Sequence, residues 1–236
     1  MNTIGLLGGM SWESTQSYYR LINQGVNAKL GGLHSAQLVL YSVDFSPIEQ
    51  LQQQGDWQAA ARILSQAARN IEQAGANALL ICTNTMHIVA DDIAAAVNIP
   101  ILHIADATGE VLQQQGIKTV GLLGTAFTME QPFYRERLQQ KFGLDVLIPA
   151  SPQRQRVHQV IYEELCAGKI LPASKAAYLN IIAELGKRGA QAVILGCTEI
   201  GLLVQQQDTD IPLLDTTAIH AAKAVEFALN STSPRE

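Results

Sequence analysis

Ile4-Gly5-Leu6-Leu7-Gly8 returns 116 residues later as Val120-Gly121-Leu122-Leu123-Gly124. Two more segments repeat in the same order. Gly75-Ala76-Asn77-Ala78-Leu79-Leu80-Ile81 returns as Gly189-Ala190-Gln191-Ala192-Val193-Ile194-Leu195 at an offset of 114, and Ile99-Pro100-Ile101-Leu102 as Ile211-Pro212-Leu213-Leu214 at 112. General likeness among hydrophobic strands would not keep so constant a spacing, so the chain reads as two similar lobes. The expected strands are 4–7, 38–43, 78–82, 120–123, 146–148 and 192–195, near-continuous apolar runs that suit parallel strands covered on both faces. Helical patterns lie between them. Trp57, Ala60, Ala61, Leu64, Ala67, Ala68 and Ile71 recur every three or four residues behind Asp56, a good N-cap. A second helix opens near Pro172 and carries Ala176, Leu179, Ile182 and Ala183. The alternation predicts an α/β fold with right-handed crossovers. The expected division is a discontinuous first lobe, 1–100 with 212–236, and a second lobe, 101–211. Ligands of such sheets sit beyond the carboxyl ends of strands, so a cleft between lobes would be lined by the residues following each repeated strand.

Composition narrows the class. With 47% hydrophobic and 16% charged residues the 236-residue chain is not disordered. Sixteen basic against 21 acidic residues give a net charge of −5 without any basic cluster, which argues against nucleic acid and anionic membranes as partners. Apolar runs such as 78–82 are too short to span a bilayer, and the first ten residues lack a secretory signal. Three cysteines, Cys82, Cys166 and Cys197, make no disulfide framework and suit a reducing, cytoplasmic setting. The glutamine runs 52–54, 113–115 and 205–207 read as solvated helix ends.

Chemistry should follow the repeated strands. Gly8-Gly9-Met10-Ser11-Trp12-Glu13-Ser14 is either an ordinary strand-to-helix turn or an anion-binding one; its spacing is not the dinucleotide fingerprint, and no Walker sequence occurs. The second repeat ends in Cys82-Thr83-Asn84-Thr85-Met86-His87 and in Gly196-Cys197-Thr198-Glu199-Ile200. A thiol at a helix start has its thiolate favoured by free N–H groups, which makes Cys197 a candidate nucleophile or base rather than a small buried hydrophobe. No C-x-x-C, H-x-x-x-H or G-x-S-x-G spacing occurs, so neither a metal site nor a serine elbow is expected. His87 and His220 are of the kind that caps or packs.

On Gly5-Leu6-Leu7-Gly8-Gly9-Met10-Ser11-Trp12-Glu13-Ser14-Thr15, Thr83-Asn84-Thr85-Met86-His87, Gly121-Leu122-Leu123-Gly124-Thr125 and Gly196-Cys197-Thr198-Glu199-Ile200, the chain resembles the aspartate/glutamate racemases over essentially its whole length. The resemblance implies two Rossmann-like lobes related by a pseudo-twofold axis, a homodimer, a small amino-acid substrate and no cofactor or metal. It also implies two thiols on opposite faces of the substrate Cα, one removing the α-proton and the other returning it. Cys197 fills the second position. The first holds Thr83, which the 114-residue offset pairs with Cys197; Cys82, one residue earlier on a strand, should point away from whatever Thr83 faces. The catalytic residues expected are therefore Cys197 and Thr83, working asymmetrically between L and D forms. Met10, Ser11, Gln52, Asn84, Thr85, Thr125 and Thr198 are expected to bind substrate, with Glu199 and His87 orienting. As a like charge Glu199 would raise the Cys197 pKa. Residues 44–55 contain no lysine or arginine for a side-chain carboxylate, only Gln52, Gln53 and Gln54, which favours relaxed substrate choice. The alternatives are a broad-specificity racemase, a one-thiol decarboxylase or isomerase, and a non-catalytic amino-acid-binding protein.

Overall fold

In the computed structural model, which describes residues 1–230, strands and helices alternate along the chain and form two compact units. Residues 1–104 with 220–230 make the first; Ala105–Ile219 make the second. Residues 231–236 of the expected first lobe lie outside the described residues.

The first unit contains β1 (Ile4–Gly8), α1 (Trp12–Leu30), β2 (Leu38–Ser42), α2 (Phe45–Gln54), α3 (Trp57–Gln73), β3 (Ala78–Ile81), a 3-10 turn (Thr85–Val89) and α4 (Ala90–Ala94). Its strands are parallel in the order β2-β1-β3, and Leu79 also bridges Ile101 in parallel. Continuous apolar character in β1 and β3 serves two cores, because successive side chains leave a strand on opposite faces. Leu7, Leu79 and Ile81 pack with Leu64, Ala68 and Ile71 of α3. Ile4, Leu6, Leu80 and Cys82 turn the other way, against Tyr18, Ile22 and Val26 of α1 and Ala221, Ala224 and Val225 from near the C-terminus. Each fully buried aliphatic side chain contributes roughly 1.5–3 kcal/mol. Asp56 caps α3 as expected, its carboxylate accepting from Ala59 N–H at 2.9 Å.

The second unit takes most of α5 (Ile104–Gln114), then β4 (Thr119–Gly124), α6 (Ala126–Glu130), α7 (Pro132–Phe142), β5 (Asp145–Leu147), α8 (Ser151–Glu163), a 3-10 turn (Leu165–Ala167), α9 (Pro172–Lys187), β6 (Ala192–Gly196), α10 (Ile200–Leu203), a 3-10 turn (Gln206–Asp208), β7 (Leu213–Asp215) and the first residues of α11 (Thr216–Leu229). These strands are also parallel, in the order β5-β4-β6-β7.

The expected boundaries move. Residues 213–215 form a strand absent from the six expected, and it pairs with β6, so the second unit runs to Ile219 rather than 211. Ile101 bridges Leu79, which keeps residues 101–104 in the first unit. β2 is not covered on both faces: it is an edge strand whose Leu40 and Tyr41 are exposed. The glutamine runs also differ from one another. Gln113–Gln115 are exposed, and Gln206 and Gln207 belong to a 3-10 turn capped by Gln205 rather than to an α-helix end. Gln52 is buried at 3% exposure.

Candidate active site

In the second unit the carboxyl ends of β4 and β6 lie side by side. Gly124 and Gly196 are register partners, and a Cβ on either would stand about 3.0 Å or less from the facing backbone carbonyl, at 3.0 and 2.9 Å respectively. This close approach brings the residues that follow, Thr125 and Cys197, to neighbouring strand ends. Thr125 caps α6, accepting at Oγ1 from Thr128 N–H at 3.2 Å. The half-buried Cys197 thiol donates to Glu199 Oε2 at 3.0 Å, and Thr198 Oγ1 donates to the same oxygen at 2.6 Å.

That arrangement corrects one expectation and bears out another. The N–H effect expected at Cys197 is present but outweighed: the backbone N–H of Glu199 favours the thiolate, while α10 begins only at Ile200 and is four residues long. The Cys197 pKa is instead raised well above the ordinary thiol value, by burial first and then by the charge and hydrogen bond of Glu199. The like-charge effect expected of Glu199 therefore has the right sign. In this pair the thiol donates and the carboxylate accepts. The pair can act as an acid directly, and as a base once the thiol proton has moved to Glu199.

In the first unit the turn after β1 is built around Thr15. Thr15 Oγ1 accepts from Gly9 N–H at 2.8 Å and donates to Ser11 O at 2.9 Å, while Ser11 Oγ accepts from Ser14 N–H at 3.4 Å. Gly9 has φ +96°, and a Cβ there would meet Val43 O at 2.2 Å, so only glycine fits. Its N–H is already used by Thr15, which favours the ordinary-turn reading at that amide. The Met10 side chain is buried in the core with Leu7 and Ile48, leaving its backbone as the part suited to a ligand.

After β3, Thr83 is half-buried and Asn84 and Thr85 are buried. His87 ties this segment down. Its Nδ1–H donates to Thr83 O at 2.8 Å, and its Nε2 accepts from Ile104 N–H at 3.2 Å. The carbonyl can only accept, so it fixes the tautomer. His103 lies 4.5 Å from the His87 ring and His220 lies 5.9 Å away, centroid to centroid. His87 thus holds the Thr83 carbonyl, and His220 packs near its ring and makes hydrogen bonds of its own. Cys82 faces the apolar core, with its thiol pKa raised by complete burial.

Gln52 Oε1 is buried without a hydrogen-bond partner among the described residues. A buried acceptor left unpaired costs about 1–3 kcal/mol, which marks the position as one where a ligand donor would be satisfied. The sequence pointed to Gln52 without anticipating its burial. Cys166 and His158 carried no signal in the sequence. Cys166 lies in the 3-10 turn before α9 with its side chain exposed, and its pKa is raised by partial removal from water and then by the charge of Glu199. His158 Nδ1 accepts from Ala126 N–H at 3.1 Å. Among the described residues no group of three or more His, Cys, Asp or Glu side chains is placed to hold a metal ion, and no helix is long and apolar enough to cross a membrane.

Residues 7–224 match the model of a family described as Asp/Glu/Hydantoin racemase. A solved structure from Yersinia pestis, provisionally assigned as an Asp/Glu racemase, is 57% identical, covers 98% of this chain and 100% of that one, and superposes with a TM-score of 0.93. An aspartate racemase homologue from Pyrococcus horikoshii OT3 is 34% identical, covers 97% and 99% respectively, and gives 0.85. The broad specificity amino-acid racemase RacX of Bacillus subtilis is 24% identical over 234 residues, 96% of this chain and 98% of RacX.

Proposed function

The chain belongs to the Asp/Glu/hydantoin racemase family, and from that premise we propose that it racemises acidic amino acids without pyridoxal phosphate, Cys197 being the group that takes and returns the α-proton. The observation that carries this reading is the Cys197–Glu199 couple, 3.0 Å long, at the carboxyl end of β6.

Deprotonation begins with transfer of the thiol proton to Glu199. The thiolate then removes the α-hydrogen, and the electron pair left behind is delocalised into the substrate carboxylate. Return of the proton from Cys197 regenerates the starting enantiomer. Inversion needs a proton on the opposite face, which we assign to Thr83 or a water it holds, on the strength of the 114-residue offset between Thr83 and Cys197. A threonine hydroxyl is a poor base, so exchange without inversion outpaces inversion. Ser11, Asn84, Thr85, Thr125 and Thr198, with the Met10 backbone, bind the carboxylate and ammonium groups, and Gln52 supplies an amide to the side chain. An amide in place of a guanidinium gives up the stronger charge-assisted pair. That observation favours a second reading, a racemase of broad specificity, which the resemblance to RacX also supports.

Proton NMR of an amino-acid panel in heavy water tests both readings. Aspartate and glutamate should lose their α-proton signal, and the number of other amino acids that do so measures breadth. Cys197→Ser should slow this exchange roughly 10²–10⁴-fold, the range for a positioned acid/base, while ligand-dependent thermal stabilisation persists. Absence of exchange for every amino acid, or near-native exchange by the serine variant, would overturn the assignment.

A further inference from the structure

His158 lies on α8, outside every residue assigned above, with its ring between Tyr162 at 4.8 Å and Phe127 at 6.3 Å, centroid to centroid. Its Nδ1 accepts from the backbone N–H of Ala126 at 3.1 Å. That amide belongs to the first turn of α6, where a helix offers its own N–H groups no partner. Ala126 directly follows Thr125, the cap of α6. The ring must therefore be neutral and carry its proton on Nε2, since only an unprotonated Nδ1 can accept.

We propose that His158 is a positioning residue for the reaction: by anchoring Ala126 N–H it fixes where the Thr125 turn meets the substrate. The inference rests on the reading of Thr125 as a substrate-binding residue. A histidine that merely filled space between α6 and α8 would be replaceable by any side chain of similar size. A positioning histidine needs an acceptor at the place of Nδ1.

Protonation removes that acceptor, so the bond should be lost in acid. Burial holds the His158 pKa below the ordinary histidine value, and the charge of Glu130 on α6 opposes the shift. Of the other charged groups on α8 and on α9, which packs against it, Glu163 accepts from Gln159 at 2.8 Å, Lys187 lies in the last turn of α9, and the rest are paired. Arg154 pairs with Glu130 at 2.8 Å, Arg156 bonds Glu164 and Ser174, Lys175 pairs with Asp208, and Glu184 accepts from Gln153. Cys166, in the turn after α8, has its pKa raised and stays uncharged at the pH values used.

The test is α-proton exchange of L-aspartate in heavy water by the full chain, with KM and kcat measured separately between pH 5 and 8. His158→Leu keeps bulk and removes the acceptor, and should raise KM about tenfold, the scale of one hydrogen bond. His158→Asn places an amide oxygen near the position of Nδ1 and should restore KM to within about twofold. In the native protein KM should rise as pH falls below the ordinary histidine range, whereas His158→Asn should stay flat because its amide does not titrate. This native-against-asparagine comparison also decides the matter if the leucine variant does not fold. Thr125→Val separates the two layers. A KM increase in Thr125→Val without one in His158→Leu overturns the positioning role alone, and no increase in either also removes Thr125 from the binding set. Equal KM for the leucine and asparagine variants would leave only packing and overturn the inference. No exchange by the native protein would overturn the racemase reading and this one with it.

Discussion

Cys197 shares a single carboxylate oxygen with its neighbour Thr198, and this gives Glu199 two opposed effects on the thiol. The carboxylate raises the thiol pKa, yet it is also the nearest base able to take the thiol proton. Glu199→Gln should separate them. Alkylation of Cys197 by iodoacetamide at pH 7.5 should speed up, about threefold or more for each pKa unit by which the thiol falls, the gain in thiolate being offset in part by its weaker nucleophilicity, while α-proton exchange slows by at least about 10²-fold. Parallel changes in both measurements would show that Glu199 acts on the thiol by charge alone. Thr83 sets the second residue-level expectation. Enantiomers in water have equal free energy, so kcat/KM for L→D and for D→L must be equal however unlike the two faces are. Asymmetry can therefore appear only in exchange without inversion, and in kcat and KM taken singly. Thr83→Cys, nearly isosteric, should raise inversion and exchange of the disfavoured enantiomer together, and equal exchange of both enantiomers by the native protein would refute the asymmetry.

Buried histidines join elements of the first unit that are distant in sequence. His220 on α11 donates from Nε2 to Leu102 O at 2.5 Å and accepts from Tyr18 O–H on α1 at 2.8 Å. Burial, opposed only by the Leu102 bond, lowers its pKa from 6.5 to about 4. The folded state thus binds a proton less readily than the unfolded chain, and the associated stability is present in full above pH 6.5 and lost as pH falls toward 4. The loss is on the order of 3 kcal/mol. Asp106, lowered from 3.8 because bonds from Arg137 and Lys141 outweigh its burial, acts only below that window. Urea midpoints measured from pH 7 to 4.5 should fall for the native protein and much less for His220→Gln; parallel slopes would remove His220 from the cause. At this scale the sequence was most informative where periodicity and capping coincide. Asp56 and the apolar face of α3 are found as read, as is the start of α9 at Pro172. It was least informative where a neighbour decides the outcome. Leu38–Ser42 is as apolar as the central strands, and only its place at the sheet edge exposes Leu40 and Tyr41. Gln52 reads like the glutamines beside it until helix phase turns it inward. The candidate site was legible through the repeated strand ends, whereas His158 was not, because a histidine in a polar helix has no local mark of the amide it will meet.

At the scale of the whole molecule the resemblance implies thiol chemistry alone, and this can be tested on intact protein. α-Proton exchange should survive exhaustive dialysis against EDTA and treatment with hydroxylamine, which strips pyridoxal from lysine; loss of exchange restored only by a metal or by pyridoxal phosphate would overturn that expectation. The discontinuity of the first unit has a different kind of consequence. Its three strands are made by Ile81, yet one face, carrying Ile4, Leu6, Leu80 and Cys82, is covered in part by Ala221, Ala224, Val225 and Ala228 of α11. Residues 105–219, all of the second unit, intervene. On the ribosome, at about 5–20 residues per second, the second unit therefore emerges whole while the first waits several seconds or longer with an apolar face open. The half of the chain made first is the half that finishes last, and its exposed face is the surface a nascent-chain chaperone would meet.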